Sequence, residues 1–353
     1  MKQGGNRGIL LAAALILLLT VCSSCTTKRQ EAAAGKRQVI NLFTARHYQV
    51  DNTIYQEFAR RTGIQINEVK GTAEELVELM KQEGQASSAD LFVTVDGGIL
   101  NYAKQSGVLQ PISSEAVLRN VPAEWRDPGN YWVGISTRSR VLVYAKDRIN
   151  PEELSSYEEL ASDRWEGRVL VRSASSLYNQ SLLASFIGLH GEREAARWAE
   201  GIVRNLAREP EGGDKAQAVA LAAGVGDVAI MNTYYIGQML NSNDLTELEA
   251  AKKLGIVFPN QQTTGTHVNI SGIALARHAP NKENALKFIE FVTGKEGQTM
   301  LTQGSYEFPV NAEADMPELL RSWQGFKRQP VEIANLGQYH EQAKEIFQSV
   351  GWK

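Results

Sequence analysis

The chain of 353 residues sets 37 Lys and Arg against 40 Asp and Glu, a formal net charge of −3, and has only two cysteines, Cys22 and Cys25. A weakly acidic balance argues against a nucleic-acid partner. With both cysteines near the start, the body of the protein is expected to hold no internal disulfide and no cysteine-bound metal, so any metal is bound through oxygen and nitrogen.

Met1 to Gly8 is basic through Lys2 and Arg7, and Ile9 to Val21 is an apolar run too short for an ordinary membrane-spanning helix, which is the pattern of a secretory signal. It ends in Val21-Cys22-Ser23-Ser24-Cys25. Small residues before a cysteine resemble the cleavage box of bacterial lipoproteins, in which the cysteine becomes the lipidated first residue. Cys25 follows Ser24 and suits that role better than Cys22, which follows the bulkier Val21. Residues 1–24 are therefore expected to be a lipoprotein signal peptide, with a plain signal peptide and incidental cysteines as the alternative. Loss of Lys2 and Arg7 moves the formal charge of the mature chain to −5. Residues 25–38, with the polar stretch TTKRQEAAAGKRQ, show no core pattern and are expected to form a lipidated tether. Its reach is roughly 20 Å if it behaves as a flexible coil.

From Val39 onward apolar runs alternate with amphipathic stretches. Val39 to Ala45 predicts a strand, followed by a helix that begins near Asp51 and ends near Gly63. Gln65 to Lys70, Leu91 to Val95 and Arg168 to Arg172 predict further strands, and Tyr131 to Lys146 a long extended run. Helices are expected over Ala73 to Gly84, Ile99 to Ser106, Leu177 to Leu189, Glu192 to Arg204, Asn281 to Thr293 and Gln338 to Val350. Ile256 to Phe258 and His267 to Ala276 read as extended. The alternation indicates an α/β architecture, and about 315 residues are enough for two well-buried lobes.

Three strand-to-helix junctions carry unusual side chains. His47-Tyr48 follows the strand VINLFTA. Tyr178 follows GRVLVR, with Ser175 or Ser176 available to cap its helix. Tyr234-Tyr235 follows the buried run Val228-Ala229-Ile230-Met231, with Asn232 or Thr233 as cap. Ligands of α/β sheets bind in crevices outside the carboxyl ends of strands, so the three junctions are placed to face one crevice. One imidazole and up to four phenolates make a hard anionic donor set that suits ferric iron better than magnesium or calcium. Four phenolates on a trivalent cation leave one net negative charge, and Arg138 and Arg140 in TRSRVLVY are candidates to balance it. At least one of these arginines is expected in a structural salt bridge instead. Neighbouring aromatics that merely pack remain the alternative for the tyrosines. Among the other histidines, which lack metal-ligand spacing, only His267 is expected near the crevice; Tyr144 is expected to pack, and Tyr55 and Tyr157 make no special claim.

NLFTARHY, ADLFVTVDGG, GISTRSRVLVYAKD, WEGRVLV, SSLYNQSL, GDVAIMNTYY, THVNISGIALAR and the terminal helix ending in VGW resemble the ferric-iron-binding proteins of bacterial ABC iron transporters. VYAKD, WEGR and SGIALAR are shared more widely among extracytoplasmic solute-binding proteins and speak for the fold; the HY and NTYY segments speak for the ligand. The resemblance implies a two-lobed periplasmic-binding-protein fold with crossing hinge strands and an interlobe cleft. Residues 39–136 and 266–312 would form the first lobe, 137–265 and 313–353 the second. It implies Fe(III) as bound ligand, held by His47, Tyr48, Tyr178, Tyr234 and Tyr235 and delivered by a lipid-anchored monomer outside the cytoplasm to an ABC permease. Some branches of that family use a carboxylate after the strand corresponding to Leu91 to Val95, together with an exogenous anion. Here that place reads Thr94-Val95-Asp96, and Asp96 before two glycines looks like a turn former. The tyrosine-rich Fut-type branch, which needs no added anion, is the closer match, and Asp96 stays a candidate near the site.

Two other functions compete. No Gly-x-Ser-x-Gly, HExxH, Walker loop or dinucleotide glycine fingerprint supports an enzyme. A binding protein for a polyamine, phosphonate or phosphate would use the same fold and could use tyrosines for stacking and hydrogen bonds.

Overall fold

The computed structural model describes residues 38–353; the expected signal peptide, Cys25 and the expected tether up to residue 37 lie outside the described residues. Strand β1 (Val39–Thr44) is followed by helix α1 (Gln49–Thr62), β2 (Gln65–Lys70), α2 (Ala73–Glu83), β3 (Leu91–Thr94) and α3 (Gly97–Gln105). Helix α1 begins two residues before Asp51. The Asp51 carboxylate accepts the backbone N–H of Tyr48 at 3.2 Å, which places it inside the first turn and not ahead of it. Gly63, in the left-handed region with φ 74°, ends the helix by donating to the Ala59 carbonyl.

The long strand β4 (Trp132–Ala145) joins the two halves of the sheet. Its first part, Trp132 to Ser139, pairs with β8 (Val268–Ala276), which in turn pairs with β3. Its second part, Arg140 to Ala145, pairs with β6 (Val228–Asn232) and β7 (Leu254–Val257). The sheet order is β2-β1-β3-β8-β4-β6-β5, with β5 (Val169–Leu170) at one edge. The pairs β1/β2, β1/β3 and β5/β6 are parallel, while β4 and β8 run against their neighbours. The strand expected over Arg168 to Arg172 shrinks to two residues, because the chain must turn there into helix α4 (Leu177–His190).

Both faces of each half are covered, which is why the strands read as apolar runs. In the first half Leu42, Leu91, Val93, Ile273 and Leu275 pack with Phe58, Phe288 and Ile289, while Phe43, Phe92, Ile270 and Ala274 face the other way onto Val77, Met80 and Leu100. In the second half Leu142, Val228 and Ile230 pack on Leu182, Leu183, Phe186, Trp198 and Phe347. Val141, Val143, Ala229 and Met231 turn to Leu221, Ile236 and Met239. The alternation is that of a pleated strand, and each fully buried large side chain contributes about 1.5–3 kcal/mol. Helix α5 (Glu192–Arg204) carries Trp198, α6 (Asp214–Ala222) carries Leu221, and α7 (Thr233–Leu240) carries Ile236 and Met239. The chain closes with α8 (Lys282–Thr293) and, near its end, α9 (His340–Val350). The helical turn Ile333–Tyr339 before α9 lies against α3: the backbones of Gly98 and Gly337 approach so closely that a Cβ on Gly98 would sit 2.6 Å from the Gly337 nitrogen.

Candidate metal centre

Each of the three aromatic junctions ends a strand and opens a helix. Tyr48 immediately precedes α1, Tyr178 is the second residue of α4, and Tyr234 and Tyr235 are the second and third of α7. Ser176 and Asn232 occupy the cap positions of α4 and α7, yet neither caps through its side chain. The chain before α4 is held instead by Asn179, whose Nδ2 donates to the carbonyls of Arg172 at 2.8 Å and Ser173 at 3.2 Å.

The fold brings the four phenols together. The Tyr234 hydroxyl donates to that of Tyr178 at 3.1 Å, the Tyr48 and Tyr234 rings lie 5.5 Å apart, and those of Tyr234 and Tyr235 lie 4.2 Å apart. Tyr234 is fully buried. The Tyr48 side chain is only half-buried as a whole, but its hydroxyl is buried and has no hydrogen-bond partner. His47 is exposed and lines a cleft of about 370 Å³ with Thr72, Glu74, Ser175, Gln180 and Lys344; the four phenols do not line it. A larger cavity of about 490 Å³, between Trp125, Trp132 and Pro330, contains none of the candidate ligands.

Electrostatics make this cluster costly to ionise in isolation. Burial pushes the Tyr48 phenol well above its ordinary value, and Tyr178 and Glu307 push in the same direction, while the Arg46 guanidinium pulls back. Tyr234 is raised well above its ordinary value by burial and then by the neighbouring phenols Tyr178, Tyr48 and Tyr235. Burial also raises Tyr235, followed by Tyr178 and Asp214, with Tyr234 and Arg172 opposing. Phenolates so close together repel one another unless a cation sits among them. Among the described residues no three His, Cys, Asp or Glu are grouped as a metal site, so a hard cation here would be held through phenolate oxygen.

Arginines ring the cluster. Arg138, Arg140 and Arg172 lie 5.6, 6.0 and 5.2 Å from the centre of the Tyr178 ring. Arg140 is engaged in structure through both terminal nitrogens: it binds Asp214 at 3.0 Å, Asn179 at 2.9 Å and the Ile230 carbonyl at 3.0 Å, while its buried Nε has no partner. Arg138 donates to the Val95 carbonyl and keeps a buried Nη1 without a partner. Asp96 is buried at the start of α3. It accepts the Ile99 N–H at 3.0 Å, the Asn269 amide at 2.6 Å and the Ser181 hydroxyl, so its carboxylate is committed to the helix cap and to α4.

His267 lines a small pocket with Arg138, Arg140 and Tyr178, and burial lowers it to about 3. His340 is buried too, 3.4 Å from the Ser181 hydroxyl one turn beyond Tyr178, a position its spacing in the sequence did not suggest. Tyr144 packs against the second-half core, and Tyr157 is fully buried, its hydroxyl donating to the Arg140 carbonyl and accepting the His267 N–H. Sequence reasoning passed over Arg46, Glu307, Arg172 and Asp214. Arg46 adjoins His47-Tyr48, and that adjacency was the available signal; Glu307 and Asp214 are brought in by tertiary contacts alone.

Residues 86–333 match the bacterial extracellular solute-binding protein family. Iron uptake protein A1 of Synechocystis sp. is 44% identical over 319 residues, spanning 90% of this chain and 89% of that protein. A solved Trichodesmium structure described as IdiA or FutA in complex with iron and citrate ligands is 43% identical with a TM-score of 0.83, covering 89% of this chain and 100% of that one. The ferric binding protein from Campylobacter jejuni is 38% identical with a TM-score of 0.85 over the same shares. The fold is the two-lobed substrate-binding fold of these proteins.

Proposed function

The chain belongs to the bacterial extracellular solute-binding protein family, and from that premise we propose that it captures ferric iron in its cleft and delivers it to an ABC permease. The relatives named above are an iron uptake protein and ferric-binding proteins, and the observation that carries the reading to this chain is the convergence of Tyr48, Tyr178, Tyr234 and Tyr235. Four converging phenols, with Tyr234 fully buried among them, form a poor packing motif and a good socket for a trivalent cation, which neutralises most of the charge they would acquire. Arg138 and Arg172 balance what remains, and His47, exposed in a neighbouring cleft that the phenols do not line, is the fifth candidate ligand. We assign residues 39–136 with 266–312 to one lobe and 137–265 with 313–353 to the other, so that Tyr48 faces the remaining tyrosines across the cleft. The protein is a carrier and not an enzyme in this reading.

The deciding measurement is metal analysis with a visible spectrum after exposure to a ferric chelate. The expected result is one iron per chain and a phenolate-to-iron charge-transfer band. Colourless, iron-free protein under those conditions would refute the reading and favour an organic or oxyanion solute. We further propose that Cys25 is the lipidated first residue of a monomeric mature protein. Cys25→Ala should then release it from membranes, and unchanged membrane association would sink that assignment.

A further inference from the structure

Beneath Tyr48 lies a buried charge network that binding a metal through phenolates does not by itself require. Arg46 is 2% exposed; its Nε donates to Asp51 at 3.0 Å, and its Nη1 donates to Glu307 at 2.6 Å and to the Ser271 hydroxyl at 2.7 Å. Ser136 on β4 donates to the same Glu307 carboxylate at 2.7 Å. The network thus ties the β1–α1 junction to both crossing strands. A buried arginine with two carboxylates is costly to assemble, and its retention calls for a role besides stability. The geometry supplies one. The guanidinium carbon sits 3.9 Å from the centre of the Tyr48 ring, and Nη2 is buried with no hydrogen-bond partner.

We propose that Arg46 is a positioning residue for the metal ligand Tyr48, its guanidinium stacked on the ring to fix the orientation of the phenol. The proposal rests on the ferric-iron reading of the site. Asp51 and Glu307 hold the guanidinium in place, so the charge at the ring cannot swing away as an exposed arginine would. A cation on an aromatic face is attracted by the neutral ring, and more strongly once the ring carries an oxygen anion. Lysine lacks the planar fork that satisfies both carboxylates while lying flat on a ring.

Arg46→Gln alone would leave the fully buried Glu307 without its charged partner and could prevent folding, so the test uses the pair Arg46→Gln with Glu307→Gln, which leaves Asp51 as the one charge of the network, still accepting the Tyr48 N–H. Ferric affinity and the visible band are measured for this pair with Tyr48 intact and with Tyr48→Phe, as a double-mutant cycle. With Tyr48 intact, the pair should weaken iron binding about tenfold and shift the band, since the phenol is no longer held in one orientation toward the metal. With Tyr48→Phe, the pair should cost little, and Glu307→Gln alone should not reproduce the loss. Arg46→Lys should recover part of the affinity. An equal loss in both backgrounds, or an unmoved band, would overturn the proposal by showing that Arg46 supports the fold and not the ligand. Should Tyr48→Phe itself leave iron binding unaltered, the ligand assignment fails first, and this inference with it.

Discussion

Each of the phenols Tyr48, Tyr234 and Tyr235 is held above its ordinary value by burial first and by the neighbouring Tyr178 second, so at neutral pH all three carry their protons in the unloaded protein. Ferric iron must displace a proton from each phenol that binds it. Affinity therefore rises with pH, and protons are released on binding. Tyr178→Phe and Tyr234→Phe should each release about one proton fewer than the parent, measured calorimetrically in buffers of different ionisation enthalpy with the chelator's own protons subtracted. If both variants keep the parental proton count and band, the tyrosines are not ligands. The same shifts have a sign for stability. A group whose folded value lies above its unfolded one contributes fully below the unfolded value, so the unloaded protein should lose stability as pH rises past about 10. The candidate ligands were legible because phenols at three strand-to-helix junctions are conspicuous. Arg46 and Glu307 were not, since a buried ion pair 261 residues apart leaves no local pattern.

Helix α7 presents the tyrosine pair, and its seat is set by a contact that only a glycine permits. A Cβ on Gly237 would lie 2.7 to 2.9 Å from Cβ, Cγ and Cδ1 of Tyr306, which itself sits in the left-handed region at φ 61°. Alanine in a helix interior normally gains about 1 kcal/mol over glycine, but overpacking at such distances costs about 1–3 kcal/mol, so the clash should win. Gly237→Ala is expected to lower the denaturation midpoint and, by displacing α7, to weaken the ferric band. A more stable variant with an unchanged band would show that Tyr306 yields easily. Element positions followed from periodicity within a residue or two: α5 spans Glu192–Arg204 as expected, and the Leu91 strand and the Ala73 helix each end one residue early. The departures arise where backbone and tertiary geometry overrule the apolar pattern, as at Val169–Leu170.

Across the whole molecule, the two halves share strand β4 and touch where Ser181 of α4 donates to Asp96 at the start of α3. Ligands drawn from both sides would favour a closed arrangement by the difference in iron affinity between closed and open states. Small-angle scattering should therefore give a smaller radius of gyration for iron-loaded protein than for iron-free protein. Equal radii would mean that the cleft is closed before iron arrives, or that the ligands come from one half.

By itself the sequence determined the α/β alternation, the apolar strands, and the phenols at the ends of three of them. These are local properties, written in side-chain period and in the order of strand, cap and helix. Tertiary structure decided which of those residues meet. It buried Tyr234 among Tyr48, Tyr178 and Tyr235, left His47 exposed at the cleft, committed Asp96 and Arg140 to structural bonds, and set Arg46 against the Tyr48 ring. Burial and charge balance depend on what the rest of the chain brings alongside, from positions hundreds of residues away, and spacing along one segment does not contain that information.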